Sequence, residues 1–121
     1  MKVRIRQELL DYLLEMARSF YPNEFAGLLR EKDGVFEEVL ILPKGYYGRG
    51  SVFFDTYLLP HDDDVKGTVH SHPGGARPSK ADLRFFSKFG GVHLIIGFPF
   101  EYWSVKAYRS NGEEIEVEVV R

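Results

Sequence analysis

Cysteine is absent from this chain of 121 residues. Disulfides, thiolate metal sites and a cysteine nucleophile are therefore excluded, and any metal or hydrolytic chemistry must come from imidazole, carboxylate and hydroxyl groups. Deaminase-type zinc sites, which draw ligands from a Pro-Cys-x-x-Cys element, are disfavoured with them. No apolar run approaches the roughly 20 residues that cross a bilayer. No charged-then-apolar N-terminal segment reads as a signal peptide, so a cytoplasmic location without a membrane partner is expected. A net charge of -2 without a Lys/Arg cluster argues against nucleic acid as a partner. Labile residues are also scarce: asparagine stands only at 23 and 111, glutamine only at 7, methionine only at 1 and 16. With abundant Glu, Lys and Arg, that balance points to a hyperthermophilic archaeon or bacterium.

What is present suits one soluble domain over residues 1–121, with 44% apolar and 28% charged residues. Lys2 to Ile5 reads as a short strand. From Arg6 to Phe20, Leu9, Leu10, Leu13, Met16, Ala17 and Phe20 recur at helical spacing, and Tyr21-Pro22 ends the helix. Phe25–Glu31 and Val35–Leu42 form a hairpin about Lys32-Asp33-Gly34. Pro43 to Gly50 is a glycine-rich loop, Ser51–Asp55 a strand, and Val65–Ser71 a strand leading into a Gly/Pro-rich loop. A second helix runs from Ser79 to about Phe89, with Leu83, Phe86 and Phe89 toward the core. Strands follow at Val92–Gly97, Trp103–Arg109 and Ile115–Val120, with a turn at Asn111-Gly112. Strands and helices without regular alternation give an α+β class, a mixed sheet flanked by two helices.

The chemistry concentrates in His70-Ser71-His72-Pro73 and Ser79-x-x-Asp82. Two histidines two apart at the end of a strand face the same way, because strand side chains alternate. An aspartate ten residues later, in the first turn of a helix, can swing back to complete a His-His-Asp set. Such a set suits Zn²⁺ and leaves the fourth tetrahedral position open, as a catalytic site does. Ser79 and Asp82 also form a helix-capping pattern, which is compatible with the same role.

These residues, with Glu24 upstream, resemble the pattern of the JAMM (MPN-plus) metalloprotease family: a glutamate, then His-Ser/Thr-His-Pro, then Ser-x-x-Asp at the start of a helix. The resemblance extends over nearly the whole chain. One departure is that six residues separate His72 from Ser79, one fewer than in the family's common form. The resemblance implies a curved MPN/JAMM sheet, cytidine-deaminase-like, with the metal at its rim. It implies one Zn²⁺ per chain on His70, His72 and Asp82, Glu24 as general base, and Ser79 as donor to the oxyanion formed on an amide carbonyl. It implies a zinc isopeptidase acting on ubiquitin-like small modifier proteins ending in Gly-Gly and on their conjugates; from an archaeal source, that is a desampylase-type enzyme. Two rivals stand beside it: a hydrolase of sulfur-carrier proteins or small peptides, and a non-catalytic MPN scaffold, which typically lacks the ligands.

The remaining polar and aromatic groups read as structural. Ser71 points to the face opposite the histidines and supports the strand. His61 with Asp62, Asp63 and Asp64 reads as a solvated loop, and His93 as a strand histidine packed under the second helix. The aromatic stretch of Phe98, Phe100, Tyr102 and Trp103 is expected in the core. Tyr46 and Tyr47 are the candidates to cover a substrate tail, and the apolar-edged hairpin suits a homodimer.

Overall fold

A computed structural model describes residues 2–42 and 63–121, together with the backbone at Tyr47–Gly48 and Ser51–Val52. The elements in order are β1 (Lys2–Arg6), α1 (Gln7–Phe20), β2 (Ala26–Lys32), β3 (Val35–Ile41), β4 (Tyr47–Gly48), β5 (Ser51–Val52), β6 (Val65–His72), α2 (Lys80–Phe89), β7 (Val92–Gly97), β8 (Val105–Arg109) and β9 (Glu114–Val120). The β2–β3 turn is a hairpin for a local reason. Asp33 and Gly34 both sit at positive φ, 53° and 80°, which the type I′ turn requires and which Gly and Asp tolerate. Inside the stretch read as a loop, Tyr47–Gly48 pairs antiparallel with Ser51–Val52. The rest of the 51–55 strand, Tyr46, His61 and Asp62 lie outside the described residues.

Seven strands form one mixed sheet in the order β1-β3-β2-β6-β7-β8-β9, and β9 returns to pair with β1 in parallel, closing it. The α+β class and the mixed sheet with two helices are as expected; the closure goes beyond the expected curvature. The inside holds Leu9, Leu10, Leu13, Leu14 and Ala17 of α1 against Val3, Ile5, Leu29, Phe36, Val69, Leu94, Ile96, Ala107 and Ile115. Every strand of the closed sheet contributes to that cluster. Each fully buried Leu, Ile or Phe there contributes about 1.5–3 kcal/mol. Among the described residues, no helix is long and apolar enough to cross a membrane.

Strand alternation sends the other set of side chains outward, beneath α2. Val69, Leu94 and Ile96 face the inner cluster, whereas Ile95 and Tyr108 pack on Phe86 of α2. On α1 the buried stripe follows the helical spacing and includes Leu14, with Met16 and Phe20 packed against it partly buried. Two expectations are corrected. On α2, Leu83 is exposed and Asp82, with Phe86, takes the inward positions. The aromatic stretch is not core apart from Phe100. Phe98, Tyr102 and Trp103 are exposed, Trp103 at 71%, because β7 ends at Gly97 and a 3-10 turn at Tyr102–Ser104 precedes β8.

Candidate metal centre

β6 is the inner rail of the site. It pairs with β2 on one side, Ala26 opposite His70, and with β7 on the other, His70 opposite Ile95 and His72 opposite Gly97. Flanked this way, His70 is almost fully buried and His72 only partly so. The chain then loops from Pro73 to Ser79, which caps α2. The Ser79 hydroxyl accepts the Asp82 N–H at 3.0 Å, and Asp82 Oδ2 accepts the Ser79 N–H at 2.9 Å. This reciprocal capping box satisfies two otherwise free donors, and it turns the Asp82 carboxylate inward toward the histidines.

His70 Nε2 lies 2.9 Å from His72 Nε2. Asp82 Oδ1 lies 3.3 Å from His70 Nε2, and Oδ2 lies 3.3 Å from His72 Nε2. A tetrahedral Zn²⁺ with bonds of about 2.0–2.1 Å has ligand atoms about 3.3 Å apart, so this donor set fits the ion in both chemistry and spacing. Burial alone would push the Asp82 carboxyl up, but hydrogen bonds from His70 and His72 override it and hold it well below the usual carboxylate range. Burial would lower His72, yet the Asp82 contact wins and raises it. His72 Nδ1 faces the Gly75 carbonyl at 3.3 Å. A carbonyl can only accept, so Nδ1 carries the hydrogen, which leaves Nε2 as the nitrogen that would give a metal its lone pair in place of the hydrogen it gives Asp82.

Glu24 stands just outside this set, its Oε1 3.7 Å from His72 Nε2. What aims it is a clasp one residue on: the Phe25 N–H donates to the Ser71 hydroxyl at 2.9 Å, and the Ser71 N–H to the Phe25 carbonyl at 3.0 Å. Ser71 thus faces away from the triad and ties the chain beside Glu24 to the histidine strand. Burial raises the Glu24 pKa, partly offset by His72 and His70, which moves it toward the range useful for proton transfer near neutrality. Ser79 is exposed. Its oxygen accepts from Asp82 within the cap, which leaves its own O–H to donate elsewhere. All five expected site residues, Glu24, His70, His72, Ser79 and Asp82, therefore meet at one end of β6.

The place of His93 was legible in the sequence, but the hydrogen bonds it makes beneath α2 were not. His93, fully buried, receives the Thr68 hydroxyl at Nδ1 (2.7 Å) and gives its Nε2 hydrogen to the Gly90 carbonyl (2.6 Å). Its ring stacks on Phe86 at 4.1 Å between centroids. Burial lowers its pKa to about 4, so it is neutral at pH 7. It is the strand histidine under the helix that the sequence suggested, and it fastens the C-terminal end of the helix that carries Asp82. The signal was Thr68, two residues before His70 and so on the same face. Of the acidic loop, Asp63 and Asp64 are exposed.

A family model described as prokaryotic homologs of the JAB domain matches residues 6–110. The chain belongs to this family. A probable metalloprotease from Haloferax volcanii is 37% identical over 98% of this chain and 80% of its own length. A JAB1/MPN domain protein from Archaeoglobus fulgidus superposes with a TM-score of 0.79 at 39% identity, covering 98% of this chain and all of that one. A second solved structure, described as a metalloprotease-like JAMM zinc site in the proteasome and signalosome, gives 0.75 at 37% identity with both chains fully covered. These likenesses bear out the JAMM resemblance and the MPN fold.

Proposed function

We propose that this JAB-domain protein is a zinc-dependent isopeptidase, holding one Zn²⁺ per chain and cutting the bond between the C-terminal glycine of a ubiquitin-like modifier and a target lysine. The observation that carries the reading is a three-ligand set, His70, His72 and Asp82, with a spare carboxylate, Glu24, 3.7 Å from one ligand atom. A scaffold needs neither. The metalloprotease names of the relatives support hydrolysis. A zinc ion held by His70, His72 and Asp82 would supply a Lewis acid able to acidify the attacking water to near neutrality. Glu24 takes the proton of the attacking water and returns it to the leaving lysine amine, so the amide becomes a free carboxylate and a free amine. The Ser79 O–H donates to the carbonyl oxygen as charge builds there, worth about 3 kcal/mol for one donor.

The modifier's tail binds extended, as an added strand beside the 43–53 segment, most of which lies outside the described residues; among the described residues the seven-stranded sheet is closed and offers no free edge. Main-chain pairing straightens a scissile bond without demanding much sequence, and Gly-Gly passes close to the metal where larger residues would not. Tyr46 and Tyr47 are the proposed cover. From an archaeal source the substrates would be small archaeal modifiers, making the enzyme desampylase-type. The test incubates conjugates joined through Gly-Gly, Ala-Val or Val-Val tails, with and without a chelator. Chelator-sensitive cleavage of the Gly-Gly conjugate alone supports the proposal. Equal cleavage of all three would replace it with a general metallopeptidase, and none would restore the scaffold reading.

A further inference from the structure

Three consecutive carbonyls in the loop between His72 and Ser79 are tied to three different parts of the fold. Gly74 O accepts the Phe98 N–H at 2.8 Å, just past the end of β7. Gly75 O receives His72 Nδ1 at 3.3 Å, and Ala76 O receives the Tyr108 hydroxyl of β8 at 2.7 Å. The same segment lies directly on Gly97, the residue opposite His72 in β7. A Cβ on Gly97 would stand 2.6 Å from Ala76 N, 2.8 Å from Gly75 C and 2.9 Å from Gly74 O. All three are backbone atoms, so no side-chain rotation could relieve the clash. Tyr108 is itself buried, its ring packed with Phe86 of α2 at 6.2 Å between centroids. It therefore touches both arms of the metal centre: the loop that orients His72 and the helix that carries Asp82.

We propose that Tyr108 and Gly97 are positioning residues of the metal centre: together they fix the Gly74–Ala76 segment so that the Gly75 carbonyl holds the His72 ring with Nε2 turned to the triad. The inference rests on the metal reading of His70, His72 and Asp82. Partners of a ligating histidine's second nitrogen set its tautomer and ring direction, and their loss typically costs about 10–100-fold in metal affinity. Gly75 is such a partner, but it is a backbone carbonyl in an exposed loop and cannot hold itself in place. The Tyr108 hydroxyl anchors it from the next residue, and Gly97 provides the floor. Without that hydroxyl, Ala76 O would turn to solvent and draw Gly75 away from the ring.

A buried tyrosine hydroxyl also needs a partner for its own sake, and the experiment separates the two roles. Zinc affinity is measured by chelator competition, and the visible spectrum of the cobalt-loaded protein reports ligand geometry, both without substrate. Tyr108→Phe, which keeps the ring, should bind zinc about tenfold more weakly and change the cobalt spectrum. Gly97→Ala should lose at least as much. Ile95→Val loosens the same cluster without touching a polar contact, and should stay within about twofold of the parent protein. A Tyr108→Phe protein within twofold of the parent, or an Ile95→Val protein as weak as Tyr108→Phe, would overturn the proposal. Because no conjugate enters these measurements, a failure to cleave Gly-Gly conjugates would refute the isopeptidase reading alone. Failure here would leave that reading standing.

Discussion

On its inner face the closed sheet meets α1 through aliphatic and aromatic groups, with each strand adding side chains to one apolar cluster. On its outer face, under α2, it buries Thr68, His70 and His93 with Asp82, four of the six buried polar residues among those described. Apolar burial is non-directional and roughly proportional to area, so the inner face stabilises without needing any one angle. A buried polar group is costly unless its partner is aligned. The outer face is therefore specified in direction: Thr68 to His93 to Gly90, Asp82 to both histidines, His72 to Gly75. One face holds the fold together; the other holds four ligand and near-ligand groups at set distances.

If that division is right, substitutions on the two faces should fail in different ways. Glu24→Gln should lower turnover about 10²–10⁴-fold, the usual worth of a general acid–base group, while zinc content by elemental analysis and the unfolding midpoint stay unchanged. Near-normal turnover at neutral pH would place the base elsewhere. Leu13→Ala, on the inner face, should cost about 2–5 kcal/mol in urea unfolding yet leave the folded fraction with its full zinc. Loss of metal at native concentrations of denaturant would show that the two faces are not separable.

Ser79→Ala joins both kinds of effect. It removes a cap, worth about 0.5–2 kcal/mol, and the proposed oxyanion donor, worth about 100-fold in turnover. Ser79→Asp restores the cap without the donor, so its stability should recover and its turnover should not. Recovery of both would leave Ser79 a cap only.

His93 gives the smallest effect at neutral pH. Its folded pKa of about 4 lies below the value of about 6.5 for the unfolded chain. As pH falls below 6.5 the unfolded state takes up a proton that the native state does not, so stability drops until about pH 4, by about 3 kcal/mol in all. Urea unfolding at pH 7, 5.5 and 4.5 should show the parent losing about 2.4 kcal/mol more than His93→Gln between the first and the last. Parallel pH profiles would mean that His93 is protonated in place.

The ligand set was legible because each part of it follows a local rule. His70 and His72 share a face through the two-residue period of a strand, and Ser79 with Asp82 spell a helix start. Glu24 needed the resemblance, since nothing local marks one glutamate before a strand. Where the sequence misled, local and tertiary preferences diverged. Helical periodicity favoured Leu83 inward, but the capping box and the two histidines draw Asp82 there and leave Leu83 exposed. Aromatic content suggested a buried segment after Gly97, yet β7 ends there and the chain turns before β8, leaving Phe98 and Trp103 exposed. The β1–β9 closure pairs the two ends of the chain, a contact that no window of neighbouring residues encodes.

On the reading proposed here, His70, His72 and Asp82 form a single zinc site built on the directed face. The most direct measurement is a crystal structure of the zinc-loaded protein with anomalous data at the zinc edge. One strong peak per chain is expected, about 2.0–2.2 Å from His70 Nε2, His72 Nε2 and an Asp82 carboxylate oxygen, with Glu24 beside it and not bound to it. No peak there at full zinc loading, or a peak held by other residues, would contradict it.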